Sequence, residues 1–522
     1  MAKNIIVCAD GTGNEGGYTP DSNVYKIYKA VNKRFRGTTT NGFQCDEQIV
    51  FYDNGVGTAK NKYLRALGGA MGFGFEDNVC DLYKYLASNY EPGDRIYFFG
   101  FSRGASTVRA CNGFISRCGL AKGRGKQNRQ LDELVKEAFE AYKQYETRPQ
   151  LAENLKQSGR SHGVVPVCFL GVWDTVVALG FPRQTDVTGA VSRTLNKIFE
   201  KAEALLDRRW PHNFYHYRLT GNVKYAYQAL AIDDERTAFW PHIWREQDRG
   251  EEAVVEQVWF AGMHSNVGGG YERSGMASVP LYWMMLRAEK CGLKLEDSAL
   301  QQALDDSHAH GRMYDSRDSA AMMYRYHPRE IEQLCDGRLS GDIRVHRSVI
   351  DRINHRTANY APGLLPAKFD VVDDEPGAAV ESRQPGSHTR WSAIRSEINR
   401  WVDKRKRLYE LMLTFLLTAL FAGIAVWLFV DVPEKADGFL GYLADMLDYV
   451  VPGFLEGLVH IIVFEYPLAL VALLLLARYY IKLRNEYREN TVTACEKLRH
   501  LVIEENQSAS QAKNDHGTSV EQ

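Results

Sequence analysis

The sequence predicts an α/β fold, a mostly parallel sheet covered by helices and carrying helical insertions, followed by a C-terminal hairpin of transmembrane helices. Three observations carry this expectation. Apolar runs of strand length, Ile5–Ala9, Gln48–Tyr52, Arg95–Phe99, Val165–Leu170 and Val258–Ala261, recur between longer stretches of helical periodicity, the alternation expected of a parallel sheet. Leu411–Val430 is a twenty-residue run without a charge. The 522 residues of the chain exceed what one small core organises, so one large domain with appended material is expected.

Composition narrows the partners. Lys+Arg number 64 against Asp+Glu 65, a net charge of −1, so no global field attracts nucleic acid, and none is expected as a partner. The nine cysteines, Cys8, Cys45, Cys80, Cys111, Cys118, Cys168, Cys291, Cys335 and Cys495, are scattered, odd in number and without a CxxC pair. That usage suits a reducing compartment rather than a disulfide framework or a zinc site. No cofactor and no metal is expected.

The elements follow in order. The run Asn4–Ala9 ends at Asp10-Gly11-Thr12, too short for a secretory signal, and reads as the first strand. Gly68, Gly69, Gly72 and Gly74 read as a flexible loop, because no phosphate-binding glycine pattern follows a strand there. Asn78–Asn89 has apolar residues at helical spacing, Glu91-Pro92-Gly93-Asp94 is a turn, and Arg95–Phe99 is the next strand. Two polar stretches, near 120–160 and 183–222, read as helical cap insertions, the second helical around Val191–Leu206. The first domain is thus expected over 1–365, a polar and basic linker over 366–400, a membrane region over 401–485, and a polar tail over 486–522.

Within the membrane region, spans are expected at about 411–430 and 458–477. The first holds twelve Leu, Ile, Phe or Val residues and is long enough for about 30 Å of hydrocarbon; its insertion gains at most about 4 to 7 kcal/mol. The second carries Glu465 and Pro467 and reads either as a span or as a re-entrant segment. Residues 390–407 contain seven Lys or Arg, whereas the loop 431–457 has Lys435 against six carboxylates. By the positive-inside rule both flanks face the cytoplasm, which predicts an integral protein of the inner (cytoplasmic) membrane with its first domain on the cytoplasmic side.

The chemistry centres on Gly100-Phe101-Ser102-Arg103-Gly104, a G-x-S-x-G pattern immediately after an apolar strand and before a small-residue helix. This is the setting of a nucleophile elbow in an α/β-hydrolase-like fold. A serine needs a histidine to take its proton and a carboxylate to orient that histidine. His264 follows the strand Val258–Ala261, and Asp174 follows Val165–Leu170, both at strand ends where such sheets bind ligands. Asp233 and Asp234 are the rival acids. For the oxyanion hole the backbone amides of Arg103 and of Gly11 or Thr12 are the candidates. A Ser102–Asp174–His264 set makes the chain a membrane-anchored hydrolase of carboxylic esters.

Together, CADGTGN near the start, GVGT at 55–58, EPGDRIYFFGFSRGAS, GVWDTV, ALAIDDER and GMHSNVGGGY resemble the α/β-hydrolase domain of the first family of type VI secretion lipase effectors, over about residues 3–290. The resemblance implies phospholipase or related lipase activity, with membrane phospholipid as substrate and Ser102, Asp174 and His264 at the matching motifs. Asn266 stands where many relatives carry Asp, and Gln228 where a His is often found. A regulatory or cognate immunity protein is a further expected partner. The competing expectations are a regulated membrane-disrupting toxin or defence effector, a hydrolase of a soluble ester or thioester, and an inactive hydrolase fold used for binding.

Overall fold

The computed structural model describes the chain apart from residues 1, 56–73, 177–214, 216, 319–320, 322–323, 379, 385–387, 430–437, 450–452 and 518–522. Among the described residues nine strands form one sheet: β1 (Lys3–Ala9), β2 (Glu47–Asp53), β3 (Arg95–Phe101), β4 (Val167–Trp173), β5 (Val223–Ala231), β6 (Val254–Phe260), β7 (Arg344–His346), β8 (Phe369–Val372) and β9 (Glu381–Arg383). Their spatial order is β9-β8-β7-β6-β5-β4-β3-β1-β2. Every neighbouring pair is parallel except β8 and β9. The chain steps from β1 outward to β2, then crosses to β3 and continues the other way, so the direction of winding reverses between β1 and β3. Crevices at such a reversal are the usual ligand sites of open parallel sheets.

The central strands are buried on both faces because helices cover both. Successive side chains of a strand point to opposite sides, and the core divides accordingly. Ile5, Val7, Ile96 and Phe98 pack with α2 (Phe75–Asn89), α3 (Arg103–Cys118) and α4 (Asn128–Lys143). Ile6, Cys8, Tyr97 and Phe99 pack on the other face, with α1 (Asn23–Ala30) and the helix Gly275–Lys290. Inside the first expected insertion, residues 120–160 form α4 and a second helix, Pro149–Gln157. The second insertion lies mostly outside the described residues, as do Gly68, Gly69 and Gly72; Gly74 caps α2.

Residues 366–400, expected as a linker, instead belong to the fold. β8 and β9 extend the sheet, and the long helix α5 (His388–Phe429) begins within this stretch. Trp391, Ile398, Val402 and Tyr409 of α5 are buried with Ile331, Val349 and Val371. The expected polar tail is likewise integrated: α6 (Pro467–Gly517) inserts Cys495, Leu498, Leu501 and Val502 into the same cluster. The tail's charges had masked an apolar stripe at helical spacing.

Between these anchored ends the helices expose apolar side chains. Leu411 is 68% exposed, Trp427 65% and Leu468 83%. Of the described helices, one is long and apolar enough to cross a membrane, His388–Leu428, or two if a bent pair counts as one span. That pair is the second candidate, and it is not straight: Leu455–Glu465 and Pro467–Glu505 meet at 111°. Pro467 has no N–H to continue a helix and forces its predecessor out of the helical region, and Tyr466 lies at φ −129°, ψ 54°.

Candidate active site

The sheet register brings the strand carboxyl ends into line: Ala9 stands beside Gly100, Phe101 beside Trp173, and Ala231 beside Phe260. The residues that follow these ends, Asp10, Ser102, Asp174 and Ala261, therefore emerge on one edge. Ser102 turns between β3 and α3 with φ 56° and ψ −120°, a backbone state that costs a non-glycine residue on the order of 1–3 kcal/mol. Crowding dictates the flanking glycines. A Cβ on Gly104 would lie 2.1 Å from the Ala9 carbonyl oxygen, and one on Gly100 would lie 2.7 Å from Ala105 Cα. The turn thus presses α3 against β1, and Arg103 opens the helix, where backbone N–H groups lack intrahelical partners.

Asp174 and His264 meet. His264 Nδ1 lies 2.5 Å from Asp174 Oδ2, and both side chains are buried. A proton on Nδ1 bonded to the carboxylate leaves Nε2 as the free acceptor; Nε2 is buried without a hydrogen-bond partner among the described residues. The imidazole lies between Phe101, with ring centroids 4.6 Å apart, and Phe239, edge-on at 5.0 Å. Ser102 belongs to the turn that Phe101 begins, and its N–H is held by the Trp173 carbonyl at 3.1 Å, directly beside Asp174. Asp174 itself sits at φ 42°.

One residue of this arrangement carries no sequence signal. Arg329 is fully buried and grips Asp174 with both ends of its guanidinium, Nη1 to Oδ1 at 2.6 Å and Nη2 to Oδ2 at 2.7 Å. Ala231 N–H donates to the same carboxylate at 3.0 Å. Burial would raise the Asp174 carboxyl, but the Arg329 charge, with the hydrogen bonds from His264 and Arg329, outweighs it and holds the group well below the usual carboxylate range. Arg329 stands 155 residues from its partner, in a loop with no motif, so only the fold brings the two together.

The rival acids serve the backbone around the histidine. Asp234 pairs with Arg236 at 2.6 Å and accepts the His264 N–H at 3.2 Å. Asp233 accepts the Gly262 N–H at 2.6 Å and the Tyr360 hydroxyl at 2.9 Å. Asn266 also acts locally, donating to the Arg312 carbonyl and accepting from Tyr314 N–H. Gln228 donates to the His242 carbonyl. Of the oxyanion candidates, Gly11 directs its N–H to Asp10 Oδ1 at 2.6 Å, while the Thr12 hydroxyl is buried without a partner among the described residues. No group of three or more His, Cys, Asp or Glu among the described residues is placed to hold a metal ion.

The fold and site define a parallel α/β protein with an elbow serine at the sheet's reversal point and an Asp–His pair beside it. The chain belongs to the family described as T6SS, phospholipase effector Tle1-like, catalytic domain, whose model matches residues 3–287. The uncharacterized protein YEL023C of Saccharomyces cerevisiae is 33% identical over 204 residues, which cover 35% of this chain and 28% of that protein. The match thus spans less than a third of the yeast relative's length. A crystal structure of an uncharacterized protein from Pseudomonas aeruginosa aligns at 14% identity with a TM-score of 0.34, covering 78% of this chain and 59% of that one.

Proposed function

We propose that the chain is a membrane-anchored serine hydrolase that cleaves acyl esters of membrane phospholipids. The observation that carries this reading is the buried Asp174–His264 bond beside the strained Ser102 turn. In this mechanism His264 Nε2 takes the Ser102 proton as the hydroxyl attacks the ester carbonyl, then returns it to the leaving alcohol. Asp174 fixes the imidazole and stabilises its charged form. The backbone amides of Arg103 and Thr12 receive the oxyanion, a donor of this kind being worth roughly 3–4 kcal/mol. Water then attacks the acyl-enzyme by the same route, releasing fatty acid.

Family membership supports the lipid as substrate. The exposed apolar surface of α5 supports anchoring, and the basic flank 390–407 supports a cytoplasmic side for the catalytic domain. The reading is tested with detergent-purified protein on phosphatidylethanolamine/phosphatidylglycerol vesicles. Wild type releases fatty acid or lysolipid, and Ser102→Ala loses release by about a thousandfold or more. Release that survives Ser102→Ala removes the triad mechanism. Absent release with intact fluorophosphonate labelling of Ser102 moves the substrate to a soluble ester or thioester.

A second reading, a membrane-disrupting effector, draws on the bent helix pair. Toxicity on overexpression that persists in Ser102→Ala assigns the damage to the membrane region.

A further inference from the structure

A cavity of about 790 Å³ opens beside the loop that follows β5. Its walls are the loops after β5, the 310–318 and 357–364 segments, and the turns of α5 and α6 adjoining their apolar stretches. Ser102 and His264 do not line it, whereas Arg329 does, reaching Asp174 from this side.

The lining is unbalanced in charge. Among the described residues seven arginines and four carboxylates line it; with Arg329 taken up by Asp174, six arginines stand against four carboxylates. Arg405 pairs with Glu235 at 3.3 Å, and Arg488 with Asp315 at 3.4 Å. Arg352, 1% exposed, donates one nitrogen to the Ala309 and Gly311 carbonyls, and its Nε is left buried without a partner. Arg312 and Arg484 form no ion pair among the described residues. A pocket with this surplus favours an anion with several acceptor oxygens, which planar guanidinium groups bind bidentately.

The cavity's edge says which anion. Leu408 and Tyr409 of α5 and Tyr480 and Arg484 of α6 line it. Along the same helices the neighbouring residues are exposed and apolar: Leu411, Phe415, Leu476 and Tyr479. An anionic headgroup site therefore continues into an apolar surface on two helices. We propose that this cavity binds the phosphate-bearing headgroup of an anionic phospholipid, with the acyl chains lying along α5 and α6, as a site separate from the one where the ester is cleaved. The inference rests on the membrane-anchored reading and not on the role of Ser102.

The test uses full-length Ser102→Ala protein in a non-ionic detergent, so that binding is read without turnover. Dihexanoyl phosphatidylglycerol, dihexanoyl phosphatidylcholine and inorganic phosphate are each titrated calorimetrically. The expected result is that phosphatidylglycerol binds about tenfold more tightly than phosphatidylcholine. Arg312→Gln/Arg484→Gln then weakens phosphatidylglycerol by roughly tenfold, the loss expected for two charged phosphate contacts, while leaving phosphatidylcholine unchanged; Arg312→Lys/Arg484→Lys, which keeps the charge, recovers part of the loss. Equal binding of the two lipids, or no effect of the glutamines, overturns the proposal. Inorganic phosphate binding as tightly as phosphatidylglycerol overturns the lipid assignment in favour of a free phosphate. Release of the protein from membranes by alkaline carbonate marks failure of the anchoring reading instead.

Discussion

Arg329 turns the acid of the Asp174–His264 pair into the centre of a buried network of one two-pronged ion pair and one imidazole hydrogen bond. Breaking a buried pair from one side strands a charge and costs about 3–5 kcal/mol. Arg329→Met is therefore expected to lower the unfolding midpoint and to cut kcat/KM by about a hundredfold, the penalty for a displaced catalytic group. The pH dependence separates this from a merely structural role. With Arg329 present, the Asp174 carboxyl lies well below its ordinary value, so its ionised form is lost only as pH falls through that depressed range. Without the cation, burial dominates and raises it, moving the acid limb of the kcat/KM profile to higher pH. Arg329→Lys, which restores charge without the two-pronged grip, is expected to return part of the shift; an unmoved limb in both variants removes the assignment. The turn at Ser102 and the meeting of Asp174 with His264 were legible because each follows an apolar strand and a G-x-S-x-G turn has a strict local pattern. Arg329 was not, because a long-range ion pair leaves no mark at fixed spacing.

Backbone crowding at the elbow leaves no room for a side chain at Gly100 or Gly104. Gly104→Ala drives a methyl group into the Ala9 and Asp10 carbonyls, and neither end of that contact is a flexible side chain. A loss of at least about 1–3 kcal/mol in stability is expected, measured by denaturant unfolding, with activity falling further because β1 and β3 would part at the site. The β-α alternation was readable for the strands made of aliphatic runs. β5 escaped because Ala226, Ala229 and Ala231 dilute its β signal with a strong helix former, and β7 to β9 escaped because they are three or four residues long. The second hydrophobic segment had the composition of a span. Pro467 decided its shape, and a bend depends on one residue rather than on the average of twenty.

The whole molecule is built so that its two long helices with exposed apolar stretches, α5 and α6, are also walls of its globular core. Truncation after residue 387 removes Trp391, Ile398, Cys495 and Leu498 from a common cluster and is expected to give aggregated protein on size exclusion. Replacing 414–479 by a flexible linker of about ten residues keeps both buried halves and is expected to yield a soluble, folded hydrolase domain; aggregation of this second variant as well would place the fold's dependence in the apolar stretch itself. The same architecture has a mechanical side. α5 is one unbroken helix of 42 residues, about 63 Å at ~1.5 Å per residue, with its inner half gripped by Arg405–Glu235 and Lys406–Glu330. Glu330 is the chain neighbour of Arg329. In the membrane-anchored reading, tilting of the outer half by a thinner or more stretched bilayer is carried inward as a rigid rod carries a torque, and its fulcrum lies one residue from the guanidinium that positions the catalytic acid. On that reading the thickness and tension of the lipid sheet become inputs to the Asp174–His264 site.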